Sequence, residues 1–231
     1  MLRPNTELLK EEVSQSLPRF VDVSKGTLTA KTKRSEAVNK ATLRKKNNEI
    51  PYFIPVGGSN EIGELGYVEC IREIIENDKE KNFTHIVLAS GSGGTHSGSI
   101  VGKNYYKSNM KILGISVKDK KIAQEEKVFN LAKKASQYIK CDEPIREDVV
   151  VFDNYVGDGY GIPTKGMKEA VKLLATKEAI LLDPVYSGKC FDGLIDLVQK
   201  KYFNDNDKIL FIHTGGSVSL HAYEWAFEDN K

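Results

Sequence analysis

Cysteine is scarce in this sequence. Its 231 residues hold three, Cys70, Cys141 and Cys190, far apart and without a C-x-x-C pair. That excludes a disulfide-built scaffold and a structural zinc site, and fits reduced thiols in a cytoplasmic protein. Histidine is also thin. His85, His96, His213 and His221 form no H-x-x-x-H pair and no cluster with cysteine, so a metal-dependent hydrolase is not expected and no metal ligand is assigned. No apolar run approaches the roughly 20 residues of a membrane span. The start, MLRPNTELLKEEV, puts acidic residues where a signal peptide needs an apolar core. Charge of one sign is lacking too: 34 Lys and Arg against 32 Asp and Glu give +2, which leaves no chain-wide field to gather nucleic acid.

What is present is enough apolar sequence for a sizeable core, with 40% hydrophobic and 29% charged residues. The charges are uneven. Residues 1–50 carry 11 basic and 6 acidic residues, and Ser24–Lys46 has few large apolar side chains, so this basic polar segment contributes little core and reads as a remnant or as disorder. A nucleic-acid arm is the sharper reading, but no aromatics are interleaved to stack on bases, which favours a solvated helix or tail. Residues 51–231 form the second region, an α/β domain.

In that region apolar runs of strand length alternate with amphipathic stretches of helix length, the pattern of a parallel sheet flanked by helices. The runs predict strands over Tyr52–Val56, His85–Ala89, Lys111–Val117, Asp148–Asp153, Ala179–Leu182 and Lys208–His213. Helices are predicted over Gly63–Asn77, Gly94–Tyr106, Ile122–Ile139, Thr164–Ala175, Phe191–Lys201 and Val218–Phe227. In the first of these, Leu65, Val68, Ile71, Ile74 and Ile75 make one apolar stripe.

Ser90-Gly91-Ser92-Gly93-Gly94-Thr95 lies between the strand THIVLA and a helical pattern. Glycines admit close backbone approach, hydroxyls add donors, and free N–H groups at a helix start favour an anion, so the loop suits a phosphate. It lacks the Lys-Ser/Thr pair of a Walker loop and the last glycine of a dinucleotide fingerprint, where His96 stands. The plain alternative is a tight turn without ligand. Two more glycine loops follow strands, one at Pro55-Val56-Gly57-Gly58-Ser59-Asn60 and one at His213-Thr214-Gly215-Gly216. Three such loops at carboxyl ends of parallel strands point to a shared small ligand. Tyr160, in GYGIP, and Tyr186, in LLDPVYSGK, could stack on a planar ring or move a proton, or could be packing residues with a wet hydroxyl. Ser187 could hydrogen-bond a ring nitrogen, and Lys189 is expected at the surface.

The motifs IPVGGSNEIGELGYVE, LASGSGGTHSG, GYGIP, LLDPVYSGK and ILFIHTGG, in this order over about Pro51 to Phe227, resemble the family of D-cysteine desulfhydrase and 1-aminocyclopropane-1-carboxylate (ACC) deaminase. The resemblance implies a tryptophan-synthase β-like (fold type II) large domain and pyridoxal 5'-phosphate as cofactor. It implies a lyase reaction on a small amino acid, D-cysteine to pyruvate, sulfide and ammonia, or a related deamination. By that resemblance Ser90, Gly91, Ser92, Gly93, Gly94 and Thr95 hold the phosphate, with Asn60, Thr214 and Gly215 near the cofactor. Ser187 faces the pyridine nitrogen where the deaminase branch has glutamate, and a hydroxyl there makes a weaker electron sink. Tyr160 and Tyr186 are the active-site tyrosines, and a homodimer is implied by analogy.

The sequence departs from the family in one respect. The segment resembling GNK-x-RK that carries the Schiff-base lysine, and the serine-asparagine-histidine motif after it, are not found. Asn39-Lys40 and Arg44-Lys45-Lys46 lack the flanking glycine and the spacing, so the lysine is unassigned. The expectation is a truncated or interrupted frame that keeps the phosphate half-site, with the small domain largely missing. Competing readings are a non-catalytic protein of this fold that binds a phosphate ligand or a partner, and an unrelated phosphosugar-binding domain.

Overall fold

The computed structural model describes residues 39, 42–52, 54–80 and 82–228. The chain divides into two units, residues 1–58 and 59–231. In the first, residues 42–46 are helical and Val56–Gly58 makes one 3-10 turn around Gly57 at φ 74°. The strand expected over Tyr52–Val56 is not formed among the described residues: the run is apolar, but no neighbouring strand bonds to it. Residues 1–38, 40 and 41 of the basic segment, Lys40 included, lie outside the described residues.

The second unit alternates helices and strands: α1 Leu65–Asn77, β1 His85–Ser90, α2 Gly94–Tyr105, β2 Lys111–Ser116, α3 Lys121–Ile139, β3 Val150–Phe152, α4 Lys165–Glu178, α5 Ser187–Gln199, β4 Ile209–Phe211 and α6 Glu224–Phe227. Every strand pair is parallel and the sheet order is β3-β2-β1-β4. Parallel neighbours need a long crossover, and the helices supply it. The predicted strand Ala179–Leu182 is not one, because Ala179 turns left-handed at φ 55° to close α4 and residues 180–182 join no ladder. The predicted helix Phe191–Lys201 starts earlier, at Ser187. The stretch Val218–Phe227 is a 3-10 turn, Ser217–Tyr223, followed by the short α6.

β1 is buried along its whole length, and its residues alternate between two cores. Ile86 and Leu88 pack with Ile71 and Ile74 of α1, Ile100 of α2 and Val128 of α3. Val87 and Ala89 point the other way, into Cys190 and Leu197 of α5. A strand with helices on both faces must be apolar at every position, and each such large side chain contributes about 1.5–3 kcal/mol when fully buried. Gly114 in β2 marks a close approach: a Cβ there would lie 2.4 Å from Cε1 and Nδ1 of His96 on α2, so only glycine fits. α4 starts where Thr164 Oγ1 accepts the N–H of Met167 at 3.1 Å, directly after Pro163.

The strand order places the site. From β1 the chain steps outward to β2 and β3, then returns to the other side of β1 as β4. The carboxyl ends of β1 and β4 thus flank a switch point, where an open α/β sheet leaves a crevice for ligands. The loops that leave those two ends are Ser90–Thr95 and His213–Gly216.

Candidate functional site

β1 ends at Ser90 and α2 begins at Gly94, so the chain must turn sharply between them. Gly93 does so at φ 101° and lies so close to α3 that a Cβ would sit 2.9 Å from Leu131 Cδ1. The loop carbonyls are held by the protein. Ser90 O accepts from Val117 N at 3.1 Å, and Gly91 O from Gln124 Nε2 and Lys127 Nζ, each at 3.1 Å. Gly93 O accepts from the N–H and the hydroxyl of Ser97, each at 2.8 Å. The N–H of Gly94 donates to Ser59 Oγ at 3.2 Å, while those of Ser92 and Gly93 meet no acceptor among the described residues. They belong to a cleft of about 330 Å³ lined by Gly91, Ser92, Gly93 and Thr95, by Asp183 and Tyr186, and by Thr214, Gly215 and Gly216. That volume suits a small ligand, whose pockets start at roughly 300 Å³.

Behind the loop, Ser90 is buried and its hydroxyl accepts from Gln124 Nε2 at 2.8 Å, which leaves its proton for His96 Nδ1 at 3.1 Å. Burial pushes His96 down to about 4, so the ring is neutral and accepts. Ser59 Oγ also donates to Ser92 Oγ at 2.8 Å.

The opposite wall is built on Asp183. This carboxylate is 2% exposed and accepts the N–H groups of Val185, Tyr186 and Ser187 at 2.7–2.8 Å and the Ser187 hydroxyl at 2.6 Å. Four donors on one carboxylate fix the start of α5 and turn Tyr186 over the glycine loop, where a Cβ on Gly91 would lie 3.1 Å from the tyrosine ring. Tyr186 Oη hydrogen-bonds Tyr160 Oη, and the rings meet edge to face with centroids 5.7 Å apart. Burial, Tyr160 and the charge of Asp183 together push the Tyr186 phenol well above its usual range, so it carries its proton at neutral pH.

Lys189 corrects the expectation of surface placement: it is 0% exposed. Its Nζ donates to Val156 O at 2.7 Å and Gly159 O at 2.9 Å, tying down the loop that presents Tyr160. Burial pulls its pKa down and Asp158 draws it back in part. Tyr223 Oη, donating to Gly161 O at 2.8 Å, holds the same loop from the other side.

The structure therefore brings together Gly91, Ser92, Gly93, Thr95, Tyr186, Thr214 and Gly215 around one cleft, with Tyr160 joined through Tyr186. It sets four expected residues apart from the cleft lining. Ser90 and Gly94 support the loop from behind. Asn60 Oδ1 accepts the N–H of Gly63 at 2.7 Å, and its neighbour Ser59 is the residue that reaches the loop. Ser187 is buried, its hydroxyl donating to Asp183 Oδ1 and accepting from Asp183 N at 2.7 Å. Asp183 was legible in principle, since an Asp-Pro pair just ahead of a helix is a signature of a start. Ser59 carried no such signal.

The family described as pyridoxal-phosphate dependent enzyme matches residues 20–215. D-cysteine desulfhydrase of Serratia proteamaculans (strain 568) is 44% identical over 175 residues, 75% of this chain and 52% of the relative. The same-named protein of Salmonella typhi is 43% identical over 174 residues, with the same coverage of each chain. The chain spans about half the length of these curated relatives. A crystal structure of an ACC deaminase homologue superposes with a TM-score of 0.75 at 33% identity, covering 94% of this chain and 64% of the other. A pyridoxal 5'-phosphate-dependent aspartate racemase, at 15% identity and a TM-score of 0.55 over 83% of this chain and 59% of the other, shares the fold.

Proposed function

Because this chain belongs to the pyridoxal-phosphate-dependent enzyme family, we propose that its cleft takes the cofactor with the phosphate in the Ser90–Thr95 loop, and that it serves a lyase acting on a small amino acid, D-cysteine or a related β-substituted one. The observation that carries this reading is the pair of unclaimed N–H groups, on Ser92 and Gly93, in a loop that faces Tyr186 across a cleft of small-ligand size. Those donors and Thr95 Oγ1 suit a phosphate. When bound, the cofactor supplies the electron sink that lets an amino acid lose its α-proton and then a β-thiol.

The protein's own share is binding, orientation and proton handling. Asp183 fixes the backbone of residues 185–187 and so aims the Tyr186 ring. Tyr186 Oη, protonated at neutral pH, serves as a donor to a developing negative charge or a leaving group, with Tyr160 Oη sharing the proton. Ser187 gives its proton to Asp183, so toward a ring nitrogen it could only accept. A hydroxyl backed by a carboxylate in this way favours a protonated ring more than a lone hydroxyl does. Three free cysteines fit a cytoplasmic location, and a second copy of the chain is the partner this reading expects. No helix among the described residues is long and apolar enough to cross a membrane.

A second reading is favoured by one observation: no lysine lines the cleft among the described residues. It is a protein that binds the phosphate ligand without turning over substrate. Titration with pyridoxal phosphate, borohydride reduction and peptide mapping separate the two. Saturable binding at one site is expected in both. One stoichiometrically labelled lysine, with sulfide and pyruvate released from D-cysteine, supports the lyase; binding without a labelled lysine supports the second reading; no saturable binding removes both. Two substitutions test the site map. Thr95→Val should weaken pyridoxal phosphate binding about tenfold, the loss of one hydrogen bond to a charged group. Tyr186→Phe should leave binding within about twofold and slow any elimination by on the order of a hundredfold. The opposite pattern would discredit the assigned roles.

A further inference from the structure

Lys127 and Gln124 lie one turn apart on α3, outside the cleft lining, yet both reach through to the glycine loop. Gln124 Nε2 donates to Gly91 O at 3.1 Å and to Ser90 Oγ at 2.8 Å. Lys127 Nζ donates to the same Gly91 O at 3.1 Å and to Gln124 Oε1 at 2.7 Å, and pairs with Asp119. An ammonium can only donate, so it fixes which way the Gln124 amide points: oxygen to Lys127, nitrogen to the loop. Asp119 in turn fixes Lys127. The chain of partners ends on one carbonyl that accepts two donors from the protein side.

In a trans peptide the carbonyl of one residue and the N–H of the next point in opposite directions. Gly91 has no side chain to resist rotation of the 91–92 peptide, and Ser92 N–H has no acceptor among the described residues to hold it from the other side. The peptide is oriented by what holds its oxygen. We propose that Lys127 and Gln124 are positioning residues for anion binding: by drawing Gly91 O back toward α3 they aim Ser92 N–H at the anion. This rests on the phosphate reading of the loop, but not on the identity of the molecule that carries the phosphate.

Inorganic phosphate is therefore the first probe, followed by calorimetry or ³¹P titration, and pyridoxal, which lacks the phosphate, is the control. Lys127→Met combined with Asp119→Asn removes the ammonium without leaving an unpaired carboxylate. It should weaken phosphate and pyridoxal phosphate about tenfold each and change pyridoxal affinity by less than twofold. Lys127→Arg, which keeps a donor, should recover phosphate binding to within about threefold of the parent. If the double variant does not fold, Gln124→Met, which leaves the Lys127–Asp119 pair in place, carries the same expectation. Unchanged phosphate affinity, or a parallel loss for phosphate and pyridoxal, overturns the proposal. A parent that binds inorganic phosphate but binds pyridoxal phosphate no more tightly would sink the cofactor reading and leave this one standing. A parent that binds neither overturns both.

Discussion

Replacing Lys189 with methionine is expected to cost about 2–3 kcal/mol of stability, a fall in Tm of roughly 5–10 °C for a domain of this size. Methionine nearly matches the length and volume of the lysine stem, so packing against the neighbouring core is kept. What is lost is the ammonium that satisfies Val156 O and Gly159 O. A buried acceptor left unpaired costs about 1–3 kcal/mol, and the Val156 carbonyl has no route to water through a residue this buried. The effect should also be local. Amide exchange over residues 156–162 should quicken more than that of β1, because the loop that carries Tyr160 then loses its buried tether and keeps the bonds of Tyr223 to Gly161 O and of Tyr160 to Tyr186. Denaturation curves together with exchange rates check both parts. A Tm within about 2 °C of the parent, or uniform acceleration across the sheet, would show that Lys189 is not the tether.

Stability should fall by about 1 kcal/mol as the pH is raised from 6.5 to 8, each unit of pH being worth about 1.4 kcal/mol where a full proton separates the folded and unfolded states. The group responsible is Glu64. It is 0% exposed, and neither carboxyl oxygen has a hydrogen-bond partner among the described residues. Burial pushes it up from 4.5 to about 8, with the Ser97 hydroxyl and Lys134 opposing and Glu61 adding to the rise. Between those values the folded chain holds a proton that the unfolded chain has released, so each step up in pH favours unfolding, and the effect levels off above about 8. His96 acts in the opposite sense but lower down. Its folded value of about 4 lies below the 6.5 of an exposed ring, so it adds stability as the pH rises from 4 through 6.5 and little beyond about 7.5. His85, also lowered by burial, acts in the same direction as His96, so between 6.5 and 8 Glu64 is the group that lowers stability while the two rings add a little. Urea midpoints from pH 6.5 to 8 should decline in the parent and hold or rise slightly in Glu64→Gln; a decline that survives the substitution would assign it to another group.

The β1-to-α2 passage was legible because its signals are local. A strand covered on both faces must be apolar throughout, and a reversal in three residues before a helix needs glycine. Ile86 to Ala89 and Gly93 carry both signals within ten residues. The same logic misled at Ala179–Leu182 and Tyr52–Val56, where an apolar run is present but joins no ladder among the described residues. Ladder hydrogen bonds depend on a partner from elsewhere in the chain, and no local pattern records whether that partner exists. Lys189 misled for a related reason. A lysine is ordinarily solvated, and its two acceptors lie some thirty residues earlier, on a loop whose position depends on β3 and α5 together.

By itself the sequence determined the alternation of strands and helices and the parallel sheet, and it put forward the glycine loop between β1 and α2 and the two tyrosines as candidates, because each rests on residue types and spacings within one element or one turn. Only the tertiary structure decided which loops meet. The order β3-β2-β1-β4 sets the end of β1 beside the end of β4, and with that Thr214 and Gly215 join Ser92 and Thr95 around one cleft. It also decided that Ser59 rather than Asn60 supports the loop, that Ser187 gives its proton to Asp183, and that Lys127 reaches Gly91 from behind. Each of these is a contact between groups that the chain keeps far apart and only packing brings within hydrogen-bond distance.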